Sequence, residues 1–391
     1  MMKVLIVTTN LPRWKGDFRV PFILEAAKAV QSKGNQVRIL TMHHPGSLDH
    51  EWIDGIEIFR IHYLPGKHES LQKDAAGIPA AWDRGITARL KLIPFFLALA
   101  LALPAKAKGY NIIHANWSLA GLAAVMSKPL HRLPVITTVQ GSDIYKVHDK
   151  PIIRNMIRFA LQSCNKVIAL SADLAKSTEA LGIKKEKVIV IPNGINLDHF
   201  PLGDQMNRLN QVIYVGSLIP RKGVMTLILA MAKVHKQLPG LRLLVVGEGD
   251  QRAELEEKVR QLQLADVVLI LGPKSQEEVS HLIRQSKLFI LPSIEEGQGV
   301  VLVEALASGT PCVGSRVGGI PDVITPDVGK IVEAQDVEGF AYAIESCLNN
   351  DIVWRKTSKK ARERAENEYN WSKLAEKIVT VYQSAPDKGG R

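Results

Sequence analysis

The chain has 391 residues, of which 46% are hydrophobic and 23% charged. It is too long for one ordinary core, suits two domains, and is too apolar for disorder to govern it. The net charge of +11 is lopsided: residues 1–200 carry 26 Lys+Arg against 15 Asp+Glu, whereas residues 201–391 carry 24 of each. A basic first half suits an anionic partner such as a membrane surface, a lipid phosphate or an acidic glycan. Nucleic acid is disfavoured, because no basic helix or aromatic-interleaved basic ribbon is visible.

The chain opens on a β-branched run, VLIVTT, without the charged and long apolar regions of a secretory signal, so a first strand is expected there. The loop Thr8 to Pro21 contains Gly16 and leads into a helix over Pro21–Ser32, with proline at the first helical position and Gly34 past its end. QVRILTM and IEIFRIH read as the next strands. The apolar run Leu92 to Ala105 follows, preceded by Arg84, Arg89 and Lys91 and followed by Lys106 and Lys108. Interrupted by Pro94, it falls short of the roughly 20 residues that span a hydrocarbon core. A helix buried against a sheet is the preferred reading, and a helix touching an anionic membrane interface is the second.

IIHAN, VITTVQ, KVIALS and VIVIP complete the first series of strands. VITTVQ delivers Gln140, Gly141 and Asp143 to its carboxyl end, where open α/β sheets hold ligands. The polar, turn-rich stretch Asn193 to Gln211 marks a domain boundary, giving domains of 1–200 and 201–370 and a closing segment of 371–391. A second series then alternates VIYVGS, LRLLVVG, VVLILG, LFILPS and PCVGS with helical stretches, and apolar spacing from Trp371 to Gln383 predicts a closing helix. Strands alternating with helices predict parallel sheets covered on both faces, an α/β fold with two Rossmann-like domains. Cys164, Cys312 and Cys347 show no paired spacing, which argues against a disulfide framework or structural zinc and for a reducing, cytoplasmic setting.

Chemistry concentrates in PSIEEGQGVVLVEALASGT, Pro292 to Thr310. A strand ends at Leu291, and a helix is expected to begin near Gly299. The backbone N–H groups of Gly299, Val300 and Val301 would then face outward at the positive end of the helix dipole, which suits a diphosphate. Glu304 lies one turn into the helix, on the face toward such a ligand, and its carboxylate suits ribose hydroxyls; Glu296 sits in the loop beside the expected sugar. In YVGSLIPRKGV a strand ends at Gly216 and the pair Arg221 and Lys222 follows; Lys222 is placed to neutralise a departing diphosphate.

Together these segments resemble the retaining family 4 glycosyltransferases of the GT-B fold over nearly the whole chain. The resemblance is carried by the E-x7-E element of Glu296 and Glu304, and by RKGV, VVGEGD, VIPNGIN and IIHANWSLAGL. It implies two Rossmann-like domains facing a cleft, with the C-terminal helix crossing back to the N-terminal domain. The second domain would bind a nucleotide-diphosphate sugar, UDP-sugar favoured, and the first a glycan, lipid-linked or small-molecule acceptor. It assigns Glu304 to the ribose, Lys222 to the diphosphate, Gly299 to Val301 to its backbone cradle, and Glu296 to the transferred sugar. Gly16 would approach the diphosphate from the opposite domain. Front-face transfer is implied, the leaving diphosphate taking the acceptor proton, with no cofactor and no required metal. Three positions depart from the family: Gln140 where histidine is common, Ser217 where arginine is common, and Gln298 where EGFG has an aromatic residue.

Other readings remain open at this level. A sugar-nucleotide epimerase or phosphorylase shares the fold, and an inactive glycosyltransferase-like subunit would only bind. A nicotinamide oxidoreductase has only GEGDQR, which lacks the third glycine of the fingerprint.

Overall fold

The computed structural model describes residues 1–14, 17, 20–69, 71, 85–145, 147 and 150–385. The chain forms two compact units, one of Met1–Asn193 with Trp371–Arg391, the other of Gly194–Asn370.

The first unit holds an eight-stranded sheet: β1 (Lys3–Thr8), β2 (Gln36–Met42), β3 (His50–Ile53), β4 (Ile56–Ile61), β5 (Ile112–Asn116), β6 (Val135–Val139), β7 (Lys166–Ala169) and β8 (Val188–Val190). Its order is β3-β4-β2-β1-β5-β6-β7-β8. Every pairing is parallel except β3 with β4, a hairpin at the edge. The sequence reading did not include β3, whose HEWI is short and polar at one end. The period-2 alternation of β1 divides the interior: Leu5 and Val7 join one core, Val4 and Ile6 the core on the opposite face.

The closing helix, Trp371–Ser384, belongs to this first unit. Trp371, Leu374, Ile378, Val381 and Tyr382 pack in one core with Ile23, Leu24 and Ala27 of the helix Pro21–Ser32. Polar contacts fix it further. Lys33 Nζ lies 2.6 Å from Glu376 Oε1, and Tyr382 Oη lies 2.7 Å from His114 Nδ1. Burial lowers the His114 pKa to about 4, so the ring is neutral in this contact.

One expectation is corrected here. The apolar run does pack on the sheet through one stripe, but it is not a short segment: it lies within a 21-residue helix, Ile86–Lys106, that continues through Pro94 and Pro104 and is long and apolar enough to cross a membrane. Only Phe95, Leu99 and Leu103 are buried, one stripe at a spacing of one turn. Ile86, Leu90, Ile93, Leu97 and Leu101 form an exposed stripe, with Leu101 76% exposed. Pro94 reads as an interruption because proline removes a backbone donor and crowds the preceding turn, yet the helix runs through both prolines.

The second unit holds a parallel six-stranded sheet of β9 (Leu209–Val215), β10 (Arg242–Val246), β11 (Val268–Gly272), β12 (Ser286–Leu291), β13 (Cys312–Ser315) and β14 (Gly329–Val332), ordered β11-β10-β9-β12-β13-β14. The short GKIV of β14 was absent from the sequence reading. The strands are continuous apolar runs because helices cover both faces, and one core unites them. The order reverses between β9 and β12, so the loops at their carboxyl ends leave side by side at the switch point where such sheets hold ligands.

Candidate functional site

The loop after β9 ends in a single turn of 3-10 helix, Pro220–Lys222, followed by Gly223 in the left-handed region at φ 64. The loop after β12 runs from Pro292 to Gly299, also left-handed at φ 80, and there the helix Val300–Ala307 starts. The Arg221 carbonyl accepts from the N–H of Ile294 at 2.8 Å and stitches the two loops together. The loops approach so closely that a Cβ on Gly223 would lie 2.1 Å from the carbonyl oxygen of Pro292. A third segment closes in at Gly318, φ 50, where a Cβ would lie 1.7 Å from the carbonyl oxygen of Glu296.

This stitching sets Lys222 Nζ at 2.5 Å from Glu296 Oε2, with the two side chains only 14% and 12% exposed. Burial pushes the Glu296 carboxyl upward. The Lys222 ammonium and its hydrogen bond, the charge of Arg221 and the Gly297 N–H together outweigh burial and hold it below the ordinary glutamate value. Arg221 Nη1 also stands 3.8 Å from Glu295 Oε1. The helix start at Gly299 has no side-chain cap, so its first N–H groups, those of Val300 and Val301 among them, remain turned toward the loop.

Glu304 differs from Glu296. It pairs with no cation among the described residues, and burial pushes its carboxyl up to about 8 although one edge keeps some solvent access. Burial therefore favours its protonated form below that pH. Gly216, at the carboxyl end of β9, donates its N–H to the Val246 carbonyl at 3.0 Å, joining this loop to the one after β10. Gln298 is buried, 3% exposed, in the turn before the helix.

In the first unit, Gln140, Gly141 and Asp143 gather after β6. The Asp143 carboxylate accepts from the backbone N–H groups of Ser118 at 2.8 Å, Gln140 at 2.9 Å and Gly141 at 3.1 Å. It therefore shapes the loops after β5 and β6 and has few positions left for a ligand. Burial raises its pKa and those N–H groups oppose the rise. Gln140 Nε2 donates to Asn116 Oδ1 at 3.3 Å. Gly141 takes φ 106. Trp117, beside Asn116, takes φ 68, a costly conformation for a bulky residue and one that sequence reasoning missed. Gly16 and Arg84 lie outside the described residues.

The structure thus brings Lys222, Glu296, Arg221 and the Gly299 helix start together in one unit, and places Gln140, Gly141 and Asp143 together in the other. Sequence reasoning also missed Gly318, whose closeness to Glu296 has no local signal. A further group missed is His43, Asp49 and His62, with ligand atoms within 4.8 Å of one another.

Comparison with known proteins gives the same outline. The model of the Glycosyl transferases group 1 family matches residues 204–368, and that of Glycosyltransferase Family 4 matches residues 21–199. The chain is similar to an N-acetyl-alpha-D-glucosaminyl L-malate synthase of Bacillus anthracis, 29% identical over 76% of this chain and 82% of that one. It is similar to a phosphatidyl-myo-inositol mannosyltransferase of Mycobacterium leprae, 28% identical over 94% and 93%. Its structure resembles an Anabaena protein crystallised with UDP-glucose, with a TM-score of 0.75 at 18% identity over 98% of this chain and 100% of that one.

Proposed function

This chain belongs to the family 4 glycosyltransferases of the GT-B fold, which move sugars from nucleotide sugars, and from that premise we propose that it passes a hexose from a UDP-sugar, with retention, to a lipid-linked or glycan acceptor. The observation that carries the reading is the Lys222–Glu296 pair beside the uncapped helix start at Gly299. The diphosphate lies against the N–H groups of Gly299, Val300 and Val301, where the helix dipole favours anions. Lys222, already placed by Glu296, shares its charge with the diphosphate, and Arg221 adds to the local field. Negative charge grows on the diphosphate as the glycosidic bond breaks, and a preplaced ammonium stabilises that growth without reorganising. The leaving diphosphate takes the acceptor proton. This cation set and helix start suit the reaction without a metal. Glu296, held ionised, faces the hydroxyls of the transferred sugar. Gly216 lines the nucleotide side of the same loops.

The first unit holds the acceptor in this account, with Gln140 and Gly141 beside it and Asp143 shaping their loop. UDP is favoured because the Anabaena protein of the same fold was crystallised with UDP-glucose. A lipid-linked acceptor is favoured by one face of the first unit. The helix Ile86–Lys106 packs against Ser118–Met126, which packs against Pro151–Ser163. The first of these helices exposes Leu90, Ile93, Leu97 and Leu101, and the last exposes Ile152, Met156 and Phe159. Arg89, Lys91, Lys106, Arg154 and Arg158 lie on the same helices. Exposed apolar side chains on helices that also carry cations suit peripheral docking on the anionic inner face of a membrane, with each basic residue that reaches the surface adding about 1 kcal/mol.

Glu304 supplies the test. Two ribose hydroxyls donating to its carboxyl favour the ionised form, so nucleotide uptake near neutral pH releases a proton from a group that stands protonated up to about 8. Calorimetric titration of UDP in buffers of different ionisation enthalpy should show that proton. Glu304→Ala should lose it and weaken binding by roughly 1.5–3 kcal/mol. Equal affinity and equal proton release in the variant would remove Glu304 from the site.

A further inference from the structure

At the carboxyl ends of β2 and β4 stands a cluster that sugar transfer does not use. The two strands pair in parallel with Met42 opposite Ile61, so the residues that follow them, His43 and His62, leave the sheet at the same level. Their rings lie with centroids 3.9 Å apart at 34°. The loop between β2 and β3 then returns Asp49. Its Oδ1 is 2.9 Å from His62 Nε2 and 3.7 Å from His43 Nε2.

Behind the rings is Glu69, whose side chain is 0% exposed. Its Oε1 accepts the Tyr63 N–H at 2.8 Å, which fixes the carboxylate. Its Oε2 meets His43 Nδ1 in a short contact and His62 Nδ1 at 3.1 Å. A carboxylate oxygen accepts, so both Nδ1 atoms carry hydrogens, and in the neutral rings both Nε2 lone pairs are left facing Asp49. His43 Nε2 also lies 3.1 Å from the Ser47 carbonyl oxygen. Two imidazole nitrogens, a carboxylate and a carbonyl oxygen converge, and a cation among them can take the place of a shared proton.

We propose that His43, His62 and Asp49 bind one divalent transition-metal ion of the zinc class, with Glu69 holding both imidazoles in the ligating tautomer. Ligands around such an ion, each about 2.0–2.2 Å from it, stand roughly 3–3.5 Å apart. The spacings of 2.9 and 3.7 Å to Asp49 already approach this. Imidazole donors select zinc, copper or nickel over the hard ions magnesium and calcium. A buried carboxylate on the far nitrogen of each ligating histidine is the arrangement that orients such ligands and raises their basicity. Asp49 and His62 are 67% and 49% exposed, so an ion reaches the site from solvent. Once bound, it clips the β2–β3 loop to the end of β4 in the acceptor unit. Its ligands all belong to the first unit, whose stability the bound ion raises.

The test uses full-length protein without a histidine tag, stripped with a chelator and dialysed. Zn2+ titrated calorimetrically should bind at one equivalent per chain, and Co2+ should give visible d–d bands of nitrogen and oxygen ligation. His62→Asn and Asp49→Asn should each weaken Zn2+ at least tenfold. Glu69→Gln should weaken it 10–100-fold while all three ligands remain. His50→Asn, on β3 and outside the cluster, should bind as the parent does. Near-UV circular dichroism identifies the variants that fold, and Asp49→Asn, at an exposed position, keeps the test open should a histidine variant misfold. Absence of stoichiometric Zn2+ binding by the parent, or undiminished binding by folded Asp49→Asn, would overturn the proposal.

Discussion

Replacing Lys222 with alanine removes the cation that the structure holds 2.5 Å from Glu296, between side chains only 14% and 12% exposed. Two effects follow, and they are separable. The first is structural. Glu296 loses the charge that most depresses its carboxyl and keeps Arg221, the Gly297 N–H and a longer hydrogen bond from Ser293 Oγ against the upward push of burial. Breaking an exposed pair costs about 0–1 kcal/mol and breaking a fully buried one about 3–5. This pair is intermediate, so a loss of roughly 1–3 kcal/mol is expected, and Tm should fall by about 2–10 °C. The second effect is catalytic. A preplaced donor to a developing charge contributes about 2.7–4 kcal/mol, so turnover should fall 10²–10³-fold while KM for the donor changes much less. Steady-state release of nucleoside diphosphate measures both constants. Lys222→Ala/Glu296→Gln should recover part of the Tm and none of the turnover, because the partners touch and their effects on stability are not additive. Normal kcat with a raised KM would make Lys222 a binding residue and refute the mechanistic claim.

Two other perturbations address separate parts of the account. Glu304, moved by burial from an ordinary value near 4.5 to about 8, is protonated in the folded chain and ionised in the unfolded chain between those limits. Stability from this group is therefore full below about pH 4.5 and is lost as pH rises to about 8. Its open edge discounts the full linkage to roughly 1–3 kcal/mol. Glu304→Gln should accordingly gain on the parent as pH rises over that window in Tm measurements, and parallel Tm curves would show the carboxyl to be ordinary. Leu90→Asp/Leu97→Asp should abolish co-sedimentation with anionic vesicles at low salt and leave nucleotide affinity unchanged; equal pelleting of parent and variant would leave a soluble acceptor as the better assignment.

The parts of the fold and site legible in the sequence were those encoded within one contiguous segment. The E-x7-E element and its helix start could be read because strand, glycine loop and helix follow one another from Leu291 to Glu304. The adjacency of Lys222 and Glu296 is a property of the sheet order, since β9 and β12 are neighbours although β10, β11 and their helices separate them in the chain. Resemblance supplied their roles, and only the fold supplied their contact. Asp143 read as an acceptor-side residue at the end of β6, because the backbone donors that occupy its carboxylate leave no trace in a sequence. The histidine cluster was invisible because its members come from four places, brought level by the pairing of β2 with β4 and by the buried Glu69. The helix Ile86–Lys106 was cut short because proline is read as a break, while its exposure depends on what the neighbouring helices leave uncovered.

Proton NMR of a UDP-α-hexose incubated with the enzyme in excess chelator tests the central claim most directly, because it follows donor cleavage and anomeric configuration together. The account predicts slow formation of UDP and a sugar that first appears as the α anomer, both reduced at least a hundredfold in Lys222→Ala. A first-formed β anomer, a dependence on added metal, or an unchanged rate in the variant would contradict it.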